Sequence, residues 1–475
     1  MAISYNKKLM ECVLRSVMSE GNVAQGKAIK SICKSPKPLF ITGKGGTGKT
    51  YFLKRIIPAL KNAVVVAPTG IAAVNAGGQT IHSFFRIGMQ PYIPEIRNGK
   101  FMDNCENKFR GESEKILQNI KYLIIDEISM VRPDLLDNVA DILRRARGDK
   151  DPFGGVKLIM VGDLFQLPPV IKEDFFREIY DTSYFFSSKS LMASGMEMVS
   201  FEKIYRQKDE KFISILNKVR DGQMDDDVFS TLNSRCIQPE NSAGYVEIVT
   251  TNAKATAINE MRINSVPGSL RKFEAIIKGD YPKEAPVEKT LLIKEGSRVM
   301  ITRNGGEYVN GSLGVVSSIK NGEIEVVLDR PKDEEHTKVI ITPCSFDKVK
   351  YVRNGYKVES EVIGSITQYP IKIGYSITIH KCQGLTLDAA MMDVSNSFET
   401  GQLYTALSRV KSLEGMYLRQ PIPKTIKTSD PVVNDFYKKT LSNDGIVDPI
   451  PIEELEKSMI NLSTGSEIDF EEFNL

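Results

Sequence analysis

Net charge is the first thing this 475-residue sequence lacks: 63 basic and 60 acidic residues leave only +3. Charge alone therefore announces no nucleic-acid partner, and any basic surface has to be local. Paired cysteines are missing as well. The six (Cys12, Cys33, Cys105, Cys236, Cys344 and Cys382) are scattered with no C-x-x-C among them. That argues against a zinc site or a disulfide framework and for reduced thiols. No apolar run approaches the roughly 18 residues of a membrane span, so no membrane partner is expected. The N-terminus carries Glu11 and Glu20 without a long apolar core and does not read as a signal peptide. At about 150 residues per domain, the length accommodates about three domains with ample core.

What is present is organised around one stretch, Gly43-Lys44-Gly45-Gly46-Thr47-Gly48-Lys49-Thr50. It follows the apolar run Leu39-Phe40-Ile41 and precedes a segment with Phe52, Leu53, Ile56 and Ile57 at helical spacing. That is the strand–loop–helix setting in which a phosphate-binding glycine loop has meaning. Glycines let backbone N–H groups close around a polyphosphate, and the helix N-terminus favours its charge. Lys49 is expected to reach the β- and γ-phosphates, and the Thr50 hydroxyl to ligate magnesium. Gly43, Gly45, Gly46, Thr47, Gly48 and Tyr51 complete the expected nucleotide contacts, with ATP and Mg2+ as the cofactors.

Residues 1 to about 36 read as one or two helices. Gln25, upstream of the loop, either reads the adenine edge, since its amide both donates and accepts, or is an exposed helical glutamine. Beyond the loop helix, Ala63-Val64-Val65-Val66-Ala67 has a buried-strand composition and ends in Pro68-Thr69-Gly70. Gly78-Gln79-Thr80-Ile81-His82-Ser83-Phe84-Phe85 follows, where His82 and the two phenylalanines read on their own as core filling. Residues 86 to about 115, with prolines, glycines and charges, read as an irregular insertion. Tyr122-Leu123-Ile124-Ile125 then ends in Asp126-Glu127, a Walker B arrangement: Asp126 to hold magnesium, Glu127 to polarise the attacking water. Leu135, Val139, Ile142, Leu143 and Ala146 keep helical spacing after Pro133. Arg144, Arg145 and Arg147 either complement that helix's C-terminus or form a solvated face. Lys157-Leu158-Ile159-Met160-Val161 runs into Gly162-Asp163-Leu164-Phe165-Gln166, placing Gln166 to sense the γ-phosphate or the water. Four buried parallel-type strands around one nucleotide make residues 1 to about 195 a RecA-like α/β domain.

These blocks, with Asp-Glu-Ile-Ser-Met and Gly-Asp-Leu-Phe-Gln-Leu-Pro-Pro-Val, resemble motifs I, Ia, Ib, II and III of the petite-integration-frequency (Pif) family of superfamily 1B DNA helicases. Arg132 through Asp151-Pro152-Phe153-Gly154-Gly155 resembles that family's signature segment. Ile204-Tyr205-Arg206-Gln207 resembles motif IV, Ile379-His380-Lys381-Cys382-Gln383-Gly384-Leu385-Thr386 motif V, and Tyr404-Thr405-Ala406-Leu407-Ser408-Arg409-Val410 motif VI. The resemblance implies that Arg206 and Arg409, an arginine finger, reach the γ-phosphate from a second domain, and it counts Gly384 among the nucleotide contacts. It also implies that Pro68, His82, Ser83, Phe84, Thr251, Asn252, His380 and Lys381 hold a DNA strand, which reverses the core reading of His82.

The domains so implied are a RecA-like first domain (1–195, with a 1B insertion at about 86–115) and a RecA-like second domain (196–296 and 366–425). Hairpin signals at Asn321-Gly322 and Asn354-Gly355 mark residues 297–365 as an all-β module, which the resemblance identifies as an SH3-like 2B domain. Residues 426–475 read as an extension leaving the core, with seven acids and one lysine from Ile452 onward and a solvated, mobile end expected. By resemblance the chain is an ATP-dependent 5′-to-3′ DNA helicase acting in replication, repair and recombination. Its expected partners are single-stranded DNA and tailed or structured duplexes, G-quadruplexes included, bound nearly without regard to sequence. Two other readings stand beside it: a translocase that strips proteins with little unwinding, and a clamp that binds but does not turn over. A monomer able to pair on DNA is expected, in a bacterial or phage cytoplasm.

Overall fold

The computed structural model describes residues 5–460, apart from 89–90, 103–108, 170, 172–175, 208, 239–244, 281–284, 304, 306, 309–311, 330–336, 355–356, 384 and 398. Two helices, Lys7–Ser19 and Val23–Lys34, lead into strand Leu39–Gly43, every residue of which is buried. Its neighbours are Lys157–Val161 on one side and Met196–Phe201 on the other, both parallel to it. Tyr122–Ile125, Ala63–Ala67 and Gln79–Thr80 extend the sheet in that order, all parallel. Helices cover both faces, so the central strands are continuous apolar runs with no polar side to turn outward. Each such Val, Leu, Ile or Phe contributes about 1.5–3 kcal/mol by leaving water. A second, all-parallel sheet runs Ser376–Thr378, Val246–Val249, Ala390–Asp393, Met416–Leu418.

Two boundaries differ from those the sequence suggested. Met196–Phe201, assigned to the second domain, is a strand of the first sheet, pairing Leu39↔Glu197 through Gly43↔Phe201. Gly195 (φ 61°) ends the helix before it and marks a turn, but a turn does not say which sheet the next strand joins. Residues 426–475 do not simply leave the core. Helix Pro431–Ser442 buries Val433 and Tyr437, and strand Ile446–Val447 pairs antiparallel with Met196–Phe201 at the sheet edge. Helix Ile452–Ile460 then returns to the insertion, where the Glu456 carboxylate accepts from the backbone N–H of Asn98 (2.9 Å) and Gly99 (2.7 Å). The rest of the acidic end, 461–475, lies outside the described residues.

The insertion holds a two-strand hairpin, Ile96–Arg97 with Lys100–Phe101, and helix Glu112–Asn119. The β-rich part is broader than 297–365. Its five-stranded antiparallel sheet takes in Ile371–Ile373 beyond that limit, and strands begin at Arg271. At the first predicted hairpin, Asn321 (φ 54°) and Gly322 (φ 77°) both sit left-handed, as a two-residue turn between Leu313–Lys320 and Glu323–Leu328 requires. The second joins Cys344–Asn354 to Lys357–Gln368, with Asn354 opposite Lys357.

The arginines after Asp141 are not a solvated face throughout. Arg144 is buried and donates to the Pro152 carbonyl (2.9 Å) and Ser190 Oγ (3.2 Å). Arg147 donates to the carbonyls of Gly154, Gln118 and Ile120. Together they pin the Asp151–Gly155 turn to the helix Pro133–Arg147. Among the described residues no helix is long and apolar enough to cross a membrane.

Candidate active site

Parallel α/β sheets present their ligand-binding loops at the carboxyl ends of the strands. Here the loop after Leu39–Gly43, Asp126-Glu127 after Tyr122–Ile125, and Asp163 to Gln166 after Lys157–Val161 come from three adjacent central strands and converge. Lys49 opens helix Lys49–Ile56, and its Nζ donates to the carbonyls of Gly43 (2.6 Å) and Lys44 (3.1 Å). Desolvation pushes its pKa down, while Asp163, Glu127 and Asp126 pull it up. Gly46 has φ +83°, and a Cβ there would stand 2.5 Å from Cβ of Arg206. Only glycine lets the second domain approach so closely.

Thr50 Oγ1 lies 3.4 Å from Asp126 Oδ2. Burial first, and the Glu127 charge second, push Asp126 up to about 7. A hydroxyl beside a crowded, buried carboxylate is a donor set that a divalent cation fits, and Thr50 and Asp126 are the residues that would hold one here. Bound there, the ion would supply Lewis acidity to the phosphates. Glu127 has φ 53°, a left-handed conformation costing roughly 1–2 kcal/mol outside glycine, and this turn aims its carboxylate across the cleft. There Glu127 Oε2 accepts from Gln383 Nε2 at 2.9 Å. Gln166 is buried, with Nε2 held 3.3 Å from Asp163 Oδ2.

The second domain closes the site with both arginines. Arg409 is 1% exposed and rests on its own turn, Nε on the Thr405 carbonyl (2.8 Å) and Nη2 on Ser408 Oγ (2.6 Å). Its Nη2 lies 3.6 Å from where a Cβ on Gly45 would be. Arg206 donates to the Ser408 carbonyl at 3.0 Å, and desolvation followed by the Arg409 charge lowers its pKa. Two guanidinium charges acting on one another at a cleft suit an anionic ligand.

Gln25 is buried, not an exposed helical residue, and its Oε1 has no hydrogen-bond partner. It lines an 880 Å³ cleft with Asn22, Thr47 and Tyr205. An orphaned amide oxygen facing a cleft fits a base edge that donates. Tyr205 was quoted within motif IV but not assigned a role. Its ring lies 3.7 Å from the Cβ position of Gly48, and its hydroxyl donates to Asn22 Oδ1 (2.8 Å), making a flat wall beside the loop. Tyr51 is 64% exposed, with the Arg55 guanidinium 5.6 Å from its ring. Gly384 lies outside the described residues.

The strand-binding candidates sit apart from this cleft. Pro68 follows Ala63–Ala67, and His82, Ser83 and Phe84 ride the helix Ile81–Phe85 beyond Gln79–Thr80, all at one edge of the first sheet. Thr251 caps helix Asn252–Ser265, and His380 and Lys381 follow Ser376–Thr378 at an edge of the second sheet. Ser83, Thr251, Asn252 and Lys381 are exposed, and His82 and His380 half-buried. Burial, then Arg132, pushes His82 below its ordinary value.

Compared with known proteins, residues 20–229 match the PIF1-like helicase family. The chain is 33% identical over 415 residues to the ATP-dependent DNA helicase PIF1 of Xenopus laevis, covering 85% of this chain and 62% of that protein. It is 30% identical over 418 residues to ATP-dependent DNA helicase Pif1 of Bdellovibrio bacteriovorus, covering 86% and 90%. The crystal structure of Bacteroides sp Pif1 in complex with ADP-AlF4 superposes with TM-score 0.82 at 35% identity, covering 90% of this chain and 99% of that one. The chain belongs to the PIF1-like helicase family. It spans 62–63% of the length of the Xenopus and Danio relatives. Bacteroides Pif1 bound to ADP-AlF3 and single-stranded DNA gives a TM-score of 0.65, against 0.81 for the unliganded protein.

Beyond the motif residues already assigned, this PIF1-like site includes Asp163, Gln383 and Tyr404. All three lie inside the motifs, but the contacts that join the domains, Tyr404 to Asp163 and Gln383 to Glu127, run between residues far apart in sequence, which is why spacing alone gave them no role. Gln207 is a fourth, donating to the carbonyls of Ser408 (3.2 Å) and Val410 (3.1 Å).

Proposed function

We propose that this chain is an ATP-dependent DNA helicase that moves 5′-to-3′ along single-stranded DNA and unwinds duplex and structured DNA. The observation that carries the reading is the two-sided cleft: a phosphate loop on one RecA-like sheet, with buried Arg409, half-buried Arg206 and Gln383 reaching the same cleft from the other. Lys49 and the loop amides hold the triphosphate, Glu127 takes the proton of the attacking water, and Arg206 and Arg409 stabilise the charge that develops on the transferred group. Because donors from both domains converge on one ligand, binding and hydrolysis alter the preferred distance between the domains. With strand contacts on the edges of both sheets, that change becomes a step. The β-rich module, read as SH3-like, shelters one side of the strand path. Relatives solved with single-stranded DNA, and as two coordinating Pif1 helicases at forked duplex DNA, support the choice of substrate.

The test is unwinding of a duplex with a 5′ tail against one with a 3′ tail. Unwinding of the 5′-tailed substrate alone is expected. Strand-stimulated ATPase without displacement of either would replace this reading with a protein-stripping translocase.

A further inference from the structure

One contact across the cleft is used by none of the chemistry above. The Gly45 backbone N–H donates to the Tyr404 hydroxyl (3.0 Å), and that hydroxyl lies 3.3 Å from Asp163 Oδ2, to which it donates. All three groups are buried, and Tyr404 and Asp163 are 2% and 0% exposed. Asp163 also holds Gln166 Nε2 (3.3 Å) and pairs with Arg220 (3.7 Å), whose guanidinium lies 3.7 Å from the centroid of Phe165.

Gly45 belongs to the far limb of the loop. The amides next to Lys49, at the helix N-terminus, are those placed for the β-phosphate. The limb at Gly45 and Gly46 instead faces Arg409 and Arg206. If those arginines read the γ-phosphate, Gly45 N–H points at the γ end as well. One N–H cannot serve a buried hydroxyl and a phosphate oxygen with full strength at once. We propose that Tyr404 is a positioning residue whose hydroxyl competes with the nucleotide's terminal phosphate for the Gly45 N–H. Displacing it shifts the helix Gln402–Leu407, which carries Ser408 and Arg409, and changes the hydrogen-bond set at Asp163 that orients Gln166. The γ-phosphate is thus sensed by what it evicts. This rests on the nucleotide-site reading above.

The test is Tyr404→Phe, which keeps the ring and removes the hydroxyl. Affinities for ADP and for ATPγS are measured without DNA, alongside strand-stimulated ATPase. Because the hydroxyl competes only at the γ end, ATPγS should bind about two- to tenfold tighter, the worth of one hydrogen bond, while ADP changes less than about twofold. Stimulation by single strands should fall, since the finger-bearing helix has lost its tie to Asp163. A tyrosine that merely fills space would leave the ATPγS-to-ADP ratio and the stimulation at parental values, and that result overturns the proposal. If the variant does not fold, the Gly45 amide resonance of glycine-labelled parent protein decides. It should move with ATPγS and stay with ADP, and equal movement with both ends the idea. Lys49→Ala and the unaltered chain are run in parallel. A parent that binds no nucleotide would sink the nucleotide site itself, a different failure from an unchanged ratio in a parent that does.

Discussion

The two halves of this site are built differently. In the nucleotide cleft most candidates are buried or half-buried, and contacts link one motif to another: Glu127 to Gln383, Arg206 to the Ser408 carbonyl, Gly45 to Tyr404. At the strand-binding edges the candidates are exposed or half-buried and held by their own helices, Thr251 by capping and Phe84 by an edge-to-face contact with Phe85 at 4.8 Å. A preorganised, dry site is what charge development in a transition state demands. A sequence-tolerant track needs only donors, cations and flat surfaces at intervals. Substitutions in the cleft should therefore act on turnover and those at the edges on affinity.

The largest effect expected is that of Arg409→Ala. Turnover should fall about 10³-fold or more while ATP affinity stays within about tenfold, because a finger acts chiefly on the transition state. Normal strand-stimulated ATPase in this variant would erase the distinction between the halves. Glu127→Gln should bind ATP normally and lose about 10²–10⁴-fold in rate, read by single-turnover hydrolysis.

Effects at the edges should be smaller and should appear in strand binding. Phe84→Ala is expected to weaken single-strand affinity by about 1–3 kcal/mol if a base stacks there, with ATP binding in the absence of DNA unchanged. Since Phe84 also packs on the main core, a melting curve has to accompany the binding isotherm. Lys381→Ala should cost least. The slope of log affinity against log salt should become shallower by about 0.7 if it neutralises one phosphate, and an unchanged slope would remove it from the track.

The same contrast explains what the sequence could convey. The phosphate loop, Asp126-Glu127 and the Asn321-Gly322 turn are local devices, whose residue types are dictated by the backbone or ligand beside them. Tyr404 and Asp163 carry an equally specific contact, but it joins one motif to another, so neither residue's own neighbourhood announces it. Gln25 could be read either way until its burial was known. Met196–Phe201 was placed in the second domain and Ile446–Val447 in an extension because a short segment's composition does not say which sheet it joins. For the arginines at 144 and 147 the choice between the helix C-terminus and a solvated face stayed open because their acceptors are mostly backbone carbonyls, which sequence cannot display.

That short strand Ile446–Val447, with the helix Pro431–Ser442 before it, has a consequence for how the molecule is made. The first sheet is interrupted after Phe201 by the whole second domain and receives strand Ile446–Val447 only after that domain has been made. During synthesis from the N-terminus the Met196–Phe201 edge must wait unpaired, a template open to other chains. The second domain is also anchored to the first by two chain crossings, one outbound and one returning. It hangs on a double strap, whose returning half is made only after the domain it ties down.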